Sequence, residues 1–260
     1  MGTAQIQGEL WGQSPQGWAE VHEPQSHPLW EVMLDKTGVV AGSRFLDAGC
    51  GAGSLSLMAA NRGALVSGLD AADGLLSYAR SRVPAGDFRQ GDIEQLPFAD
   101  NSFDAVIASN SVQYAADRIA TLRELRRVCR PNGTISACLF GPPERVAYTA
   151  LFQALAATMP QKPQGGGPFE LSAPGVFTAL FEEAGLTVIE RDEIDLYFRY
   201  PDFDTFWYAN MSSGPFQGIS RAVPEDKMRT AVAAVMDPFI ASDGSVNLGP
   251  NAWAYVIAKP

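Results

Sequence analysis

The chain has 260 residues, which is enough for one α/β domain with a sizeable core and some insertions and too few for two large domains. Apolar residues make up 46% and charged residues 18%, a balance that excludes a disordered or fibrous chain. The formal charge of −10 leaves no basic footprint for a phosphate backbone, so nucleic acid is disfavoured as a partner.

The first 42 residues carry Trp11, Trp18, Trp30, His22 and His27 but no βα pattern, and are expected to form a helical lid over the sheet edge. From residue 43 to 140 short apolar runs alternate with segments of helical periodicity, the signature of stacked βα units. Strands are predicted at 44–49, 64–70, 87–92, 103–109 and 133–140. The pieces between them, such as "SLSLMAANRG" and "DRIATLRELRRVCRPNG", place apolar residues at helical spacing and end in Gly or Pro-Asn-Gly stop signals. Arg123, Arg126, Arg127 and Arg130, interrupted by Glu124, read as a solvated helix face.

Residues 159–175, rich in Pro and Gly, read as a long loop. Ser172 is expected to cap a helix with Pro174 in its first turn, and Gly185 to end it. Strands are predicted again at 186–194 and 252–259, with an insertion large enough for a lid between them. The predicted fold is α/β: a Rossmann-like, doubly wound, mostly parallel seven-stranded sheet whose last strand is antiparallel, with helical lid insertions. Its expected parts are an N-terminal helical lid at 1–42, a core at 43–194 plus 251–260, and a substrate-covering insertion at 195–250.

Cys50, Cys129 and Cys138 form no CxxC pair, which supports neither a disulfide framework nor a zinc site, and no metal is expected. With no signal-peptide pattern and no run of membrane-spanning length, the expected location is cytoplasmic, with no membrane partner.

Chemistry concentrates in "LDAGCGAGS", residues 46–54, where Gly49, Gly51 and Gly53 alternate directly after an apolar strand. Such a turn lets the backbone approach a ligand closely, and two cofactor classes use it, dinucleotides and adenosyl compounds. Ser54 stands where a dinucleotide fingerprint wants its third glycine, and Asp47 precedes the loop. Asp70 ends the second strand about twenty residues on, the distance at which an acid meets a ribose diol. Asp92, at the end of the third strand, offers an acceptor for an adenine amino group, with Ile93 packing on the ring.

"LDAGCGAGS", "GLDAADGLLSYAR", "QGDIEQLPF", "FDAVIASNSVQYAAD" and "LRELRRVCRPNG", in that order, resemble the class I S-adenosylmethionine-dependent methyltransferases, in detail their bacterial small-molecule, natural-product branch. The resemblance implies S-adenosylmethionine as cofactor. It places Gly49, Cys50 and Gly51 beside the methionyl part, Asp47 at its amino group, Asp70 on both ribose hydroxyls and Ala71 against sugar and base. Asp92 and Ile93 would take the adenine edge, and the backbone at Asn110 the methionyl ammonium. "RPNG" departs from the family's Pro-Gly-Gly turn, and Asn132 is expected to supply the left-handed residue. The chemistry agrees: a ligand with an ammonium and a sulfonium suits three carboxylates, and no Arg or Lys adjoins the loop in sequence.

Methyl transfer is an in-line displacement in which the protein supplies proximity, alignment and exclusion of water, and a base only where the nucleophile must lose a proton. The candidates for that base or for orienting the nucleophile are His22, His27 and Gln113; those for holding a small-molecule acceptor are Trp18, Tyr114, Phe206 and Trp207. Small residues like Cys50 usually only fit such a loop. The expected activity is methyl transfer from S-adenosylmethionine to an O, N or C nucleophile of a small molecule, by a monomer or homodimer. Still open are a fold relative that binds the cofactor but catalyses cyclisation or rearrangement, a noncatalytic binding protein, and, well behind, an NAD oxidoreductase.

Overall fold

The computed structural model describes residues 2–161 and 167–260. Part of the loop expected at 159–175, residues 162–166, lies outside the described residues. Seven strands form one sheet: β1 (Arg44–Ala48), β2 (Leu65–Asp70), β3 (Asp87–Gln90), β4 (Phe103–Ser109), β5 (Cys129–Phe140), β6 (Thr187–Tyr200) and β7 (Val246–Lys259). Their order is β3-β2-β1-β4-β5-β7-β6, with β7 antiparallel to both neighbours and all other pairs parallel. The strand order reverses between β1 and β4, so the carboxyl ends of these strands open a crevice there.

Burial on both faces explains the near-continuous apolar runs of the central strands. Phe45 packs with Met33, Leu34 and Leu55 on one face, whereas its neighbour Leu46 packs with Leu122 and Leu125 on the other. The helices of these layers are α3 (His27–Thr37), α4 (Ser54–Asn61), α5 (Asp73–Arg82), α6 (Arg118–Val128), α7 (Tyr148–Thr158) and α8 (Val176–Glu183). Ahead of them come α1 (Ala4–Trp11), the single turn α2 (Pro15–Gly17), a π turn at Trp18–His22 and a 3-10 turn at Glu23–Ser26. The insertion before β7 carries α9 (Phe203–Met211), α10 (Gly214–Ser220) and α11 (Glu225–Ala233). Among the described residues no helix is long and apolar enough to cross a membrane.

Three local expectations are corrected. Ser172 caps no helix: its hydroxyl donates to the Phe140 carbonyl (2.6 Å), and α8 starts at Val176 after Gly175, whose φ of 83° makes the turn. Asn132 does not take the left-handed conformation; "RPNG" lies within β5, and the extra residues are absorbed where the β4 register moves from Phe103↔Cys129 to Ala105↔Thr134. Finally, β6 runs on to Tyr200 and β7 begins at Val246, so both strands enter the stretch expected as insertion, 195–250.

Candidate active site

The glycine loop leaves β1 with Gly49, Gly51 and Gly53 at φ of 84°, 54° and 82°. Gly53 must also lack a side chain, because a Cβ there would lie 2.8 Å from the Cα of Ala79 in α5. The loop is held from β2: Gly49 and Cys50 donate N–H bonds to the Leu69 carbonyl at 2.7 and 3.0 Å. The Asp70 carboxylate accepts from Gly51 N (2.8 Å) and Ala72 N (2.9 Å), so the same side chain that faces the crevice also shapes its wall.

Above the strand ends lies a cavity with an empty volume of about 1360 Å³ including its open mouth. Asp47, Gly49, Cys50, Gly51, Asp70, Ala71, Asp92, Ile93 and Asn110 all line it. Asp47 is buried, accepts from the Ser56 hydroxyl (2.8 Å) and has its carboxyl pushed up to about 7 by burial, with the nearby Glu23 and Asp70 charges adding to the shift. Burial likewise raises Asp70, against the hydrogen bonds it accepts. Asp92 Oδ1 accepts from Glu94 N at 2.9 Å. Asn110 takes a positive φ of 52° while its N–H donates to the Cys138 carbonyl (3.0 Å). Burial drives the Cys50 thiol well above its ordinary range, which leaves it an inert packing group.

Of the other sequence candidates, His22, Trp18 and Tyr114 line the cavity. His22 stacks on Trp18 (centroids 4.6 Å apart, 20° between planes) with its Nδ1 3.4 Å from the Tyr200 hydroxyl, and burial lowers it to about 4, so it is neutral at pH 7. The expectation is corrected for His27, Gln113, Phe206 and Trp207, none of which is in the cavity wall. His27 packs beside Trp30 in α3; Gln113 donates to Asn110 Oδ1 and so acts on the cavity only through that residue. Phe206 is fully buried against Tyr200 and Phe203, and Trp207 is turned towards Glu225, to which its indole N–H donates (2.9 Å).

The loop also has a cation beside it, contrary to the sequence reading. Arg82 of α5 donates to the Ala52 carbonyl (2.7 Å) and Ser54 Oγ (3.0 Å), and to the Ala19 carbonyl. It is paired with buried Glu23, which itself accepts from Ala52 N at 3.0 Å. The positive charge is thereby spent on tying the N-terminal segment to the loop, and Arg82 does not line the cavity. Sequence reasoning also missed Tyr148, Asn210 and Trp253, which reach the cavity from α7, α9 and β7. No spacing pattern links such distant positions.

Residues 46–137 match the family described as "Methyltransferase domain". The malonyl-[acyl-carrier protein] O-methyltransferase of Serratia marcescens is 47% identical over 94 residues, 36% of this chain and 37% of that protein. The demethylmenaquinone methyltransferase of Renibacterium salmoninarum is 38% identical over 131 residues, 48% of this chain and 55% of that protein. The chain thus spans about half the length, or less, of these curated relatives. Among solved structures, the [4+2]-cyclase SpnF shares the fold at a TM-score of 0.62 and 16% identity, over 99% of this chain and 93% of that one. The geranyl diphosphate C-methyltransferase of Streptomyces coelicolor A3(2), determined with Mg2+, geranyl diphosphate and S-adenosyl-L-homocysteine, does so at 0.59 and 16%, over 98% and 97%.

Proposed function

We propose that this chain, whose residues 46–137 match a methyltransferase domain, is a class I S-adenosylmethionine-dependent enzyme that transfers a methyl group to an O, N or C nucleophile of a small molecule. The observation that carries the reading is a cavity whose glycine-loop end gathers Asp47, Asp70 and Asp92. A carboxylate buried without a counter-charge is costly, and among the described residues Asp47 is bonded to the Ser56 hydroxyl and to no cationic side chain. S-adenosylmethionine fits this donor set through its ammonium, its sulfonium and its ribose hydroxyls, and supplies an activated methyl group when bound.

In this reading Gly49, Cys50 and Gly51 bring backbone close to the methionyl part, and Asp47 and the Asn110 backbone take its ammonium. Asp70 holds the ribose hydroxyls with the lone pairs left free by Gly51 and Ala72, Ala71 packs on the sugar and base, and Asp92 and Ile93 meet the adenine edge. Trp18 and Tyr114 wall the acceptor. His22, neutral and at the wall, is the group assigned to receive a proton from an acceptor that must lose one. The aromatic lining excludes water from the displacement. The partner is a small molecule, and the protein acts as a monomer or homodimer in the cytoplasm.

Calorimetry tests this directly. S-adenosylmethionine is expected to bind and NAD not to; Asp70→Ala abolishes the binding, whereas His22→Ala spares it and slows turnover. Failure of the wild type to bind S-adenosylmethionine overturns the reading, and retained binding in a folded Asp70→Ala variant overturns the ribose assignment.

A further inference from the structure

The end of the cavity away from the glycine loop carries a chemical preference of its own. Its wall is aromatic: Phe140 lies with its centroid 4.4 Å from Trp253 and 5.7 Å from Tyr148, and Phe152 stands 6.3 Å from Phe216. Flat faces at these separations bind a flat ring by dispersion and offset stacking. The polar groups among them are uncharged. Tyr148 donates its hydroxyl hydrogen to Asn210 Oδ1 (2.8 Å), and the Asn210 amide is oriented by its own N–H bond to the Phe206 carbonyl (2.8 Å). Trp253 lines the cavity, and its buried indole N–H donates to no acceptor among the described residues.

Charge narrows the choice further. Among the described residues no Lys or Arg lines the cavity, and two of the acids that do, Glu23 and Asp70, are bonded into the glycine loop. An anion at the aromatic end would be desolvated with no counter-charge among the described residues. A diphosphate would bring the need for a divalent cation as well, and among the described residues no cluster of His, Cys, Asp and Glu is placed to hold one. An ammonium would gain ring faces but would give up its hydration with no carboxylate at that end.

We infer that the acceptor is an uncharged, flat ring compound bearing a hydroxyl or carbonyl oxygen, taken up as a free molecule into the aromatic end of the cavity. The assignment of this molecule as methyl acceptor rests on the methyl-transfer reading above; the binding preference does not.

Isosteric probes separate the two. At pH 7 the full-length protein is titrated calorimetrically with 2-naphthol, 2-naphthoate, 2-naphthyl phosphate and 2-naphthylmethylammonium, each with and without S-adenosylhomocysteine. Saturable binding of 2-naphthol at least tenfold tighter than that of each anionic probe is expected in either state, and than that of the ammonium once S-adenosylhomocysteine fills the acidic end. A charged probe within tenfold of 2-naphthol in those states, or no saturable binding of 2-naphthol, overturns the inference. If S-adenosylmethionine fails to bind while the naphthol preference holds, the methyl-transfer reading fails and the chamber's selectivity stands.

Discussion

His22 shows how one buried side chain couples the site to stability. Its ring is enclosed by Trp18, Phe198, Tyr148 and Tyr200, and burial alone brings it down to about 4 from an ordinary value of 6.5. Between those two values the unfolded chain holds a proton that the native state does not, so stability is lost as pH falls from about 6.5 towards 4. Linkage converts the gap to about 3 kcal/mol. Asp47 works in the opposite sense: its raised carboxyl contributes stability that is present below its unfolded value and lost as pH rises through about 7. Comparing the wild type with His22→Gln removes that common background. In denaturant unfolding, the stability difference between them should shift against the wild type by about 3 kcal/mol on going from pH 7 to pH 4. A difference that stays constant would show that the imidazole is hydrated in the native state. At this scale the sequence was informative where chemistry is local: Asp47, Asp70 and Asp92 stand at strand ends that a periodic pattern locates. It was silent on Asn210 and Trp253, whose place in the cavity wall depends on how α9 and β7 fold back over the sheet.

At the scale of elements, the glycine loop is fixed from two sides, and only one was legible in part. On the β2 side the spacing singled out Asp70, though for the ribose and not for its bonds to Gly51 and Ala72. The other side is the Glu23–Arg82 pair, which joins the 3-10 turn at Glu23–Ser26 to α5 and clamps Ala52 through both its N–H and its carbonyl. Nothing in "VHEPQ" or "YARSR" announces that pairing. Glu23 remains raised despite its partner because burial outweighs the guanidinium, the sign of a pair whose desolvation is not fully recovered. Arg82→Met should therefore destabilise the fold by about 3–5 kcal/mol by leaving Glu23 buried and alone, while Glu23→Met/Arg82→Met recovers most of that loss. Denaturant titration of the single and double variants checks this, and a double variant no better than Arg82→Met would contradict it. The strands teach a related lesson. Among the parallel strands, β1, β4 and β5 could be located within a few residues because burial on both faces gives them near-continuous apolar runs. By contrast β6 lies at the sheet edge and is buried only on alternate residues near its end, at Leu196, Phe198 and Tyr200. That alternation sits among charges and was absorbed into the expected insertion.

Over the whole molecule, stability and enclosure are supplied by different parts of the chain. The two main apolar clusters line opposite faces of the sheet, whereas α1 contributes no buried residue. Yet Thr3, Ala4, Gln7 and Trp11 line the cavity, the Thr3 hydroxyl donates to the Tyr114 carbonyl, and Trp11 packs edge-on to Trp18 at 4.7 Å. Trp11 also packs edge-on to Tyr114 at 5.7 Å, and the tie of Glu9 to Arg221, in the segment after α10, is an exposed ion pair at 3.4 Å, a class that adds little to stability. The helix is therefore a cover built from surface-grade contacts. Deleting residues 2–13 should lower unfolding stability by no more than about 2 kcal/mol, since it removes partly exposed faces and leaves the sheet and its layers intact. The same deletion should weaken S-adenosylmethionine and 2-naphthol binding at least tenfold, because it opens the cavity to water along the wall that both would touch. Unfolding curves and calorimetry on one preparation give both quantities. A truncated protein that binds as tightly as the full chain would show that α1 encloses nothing the ligands use, and one that unfolds outright would place α1 in the core.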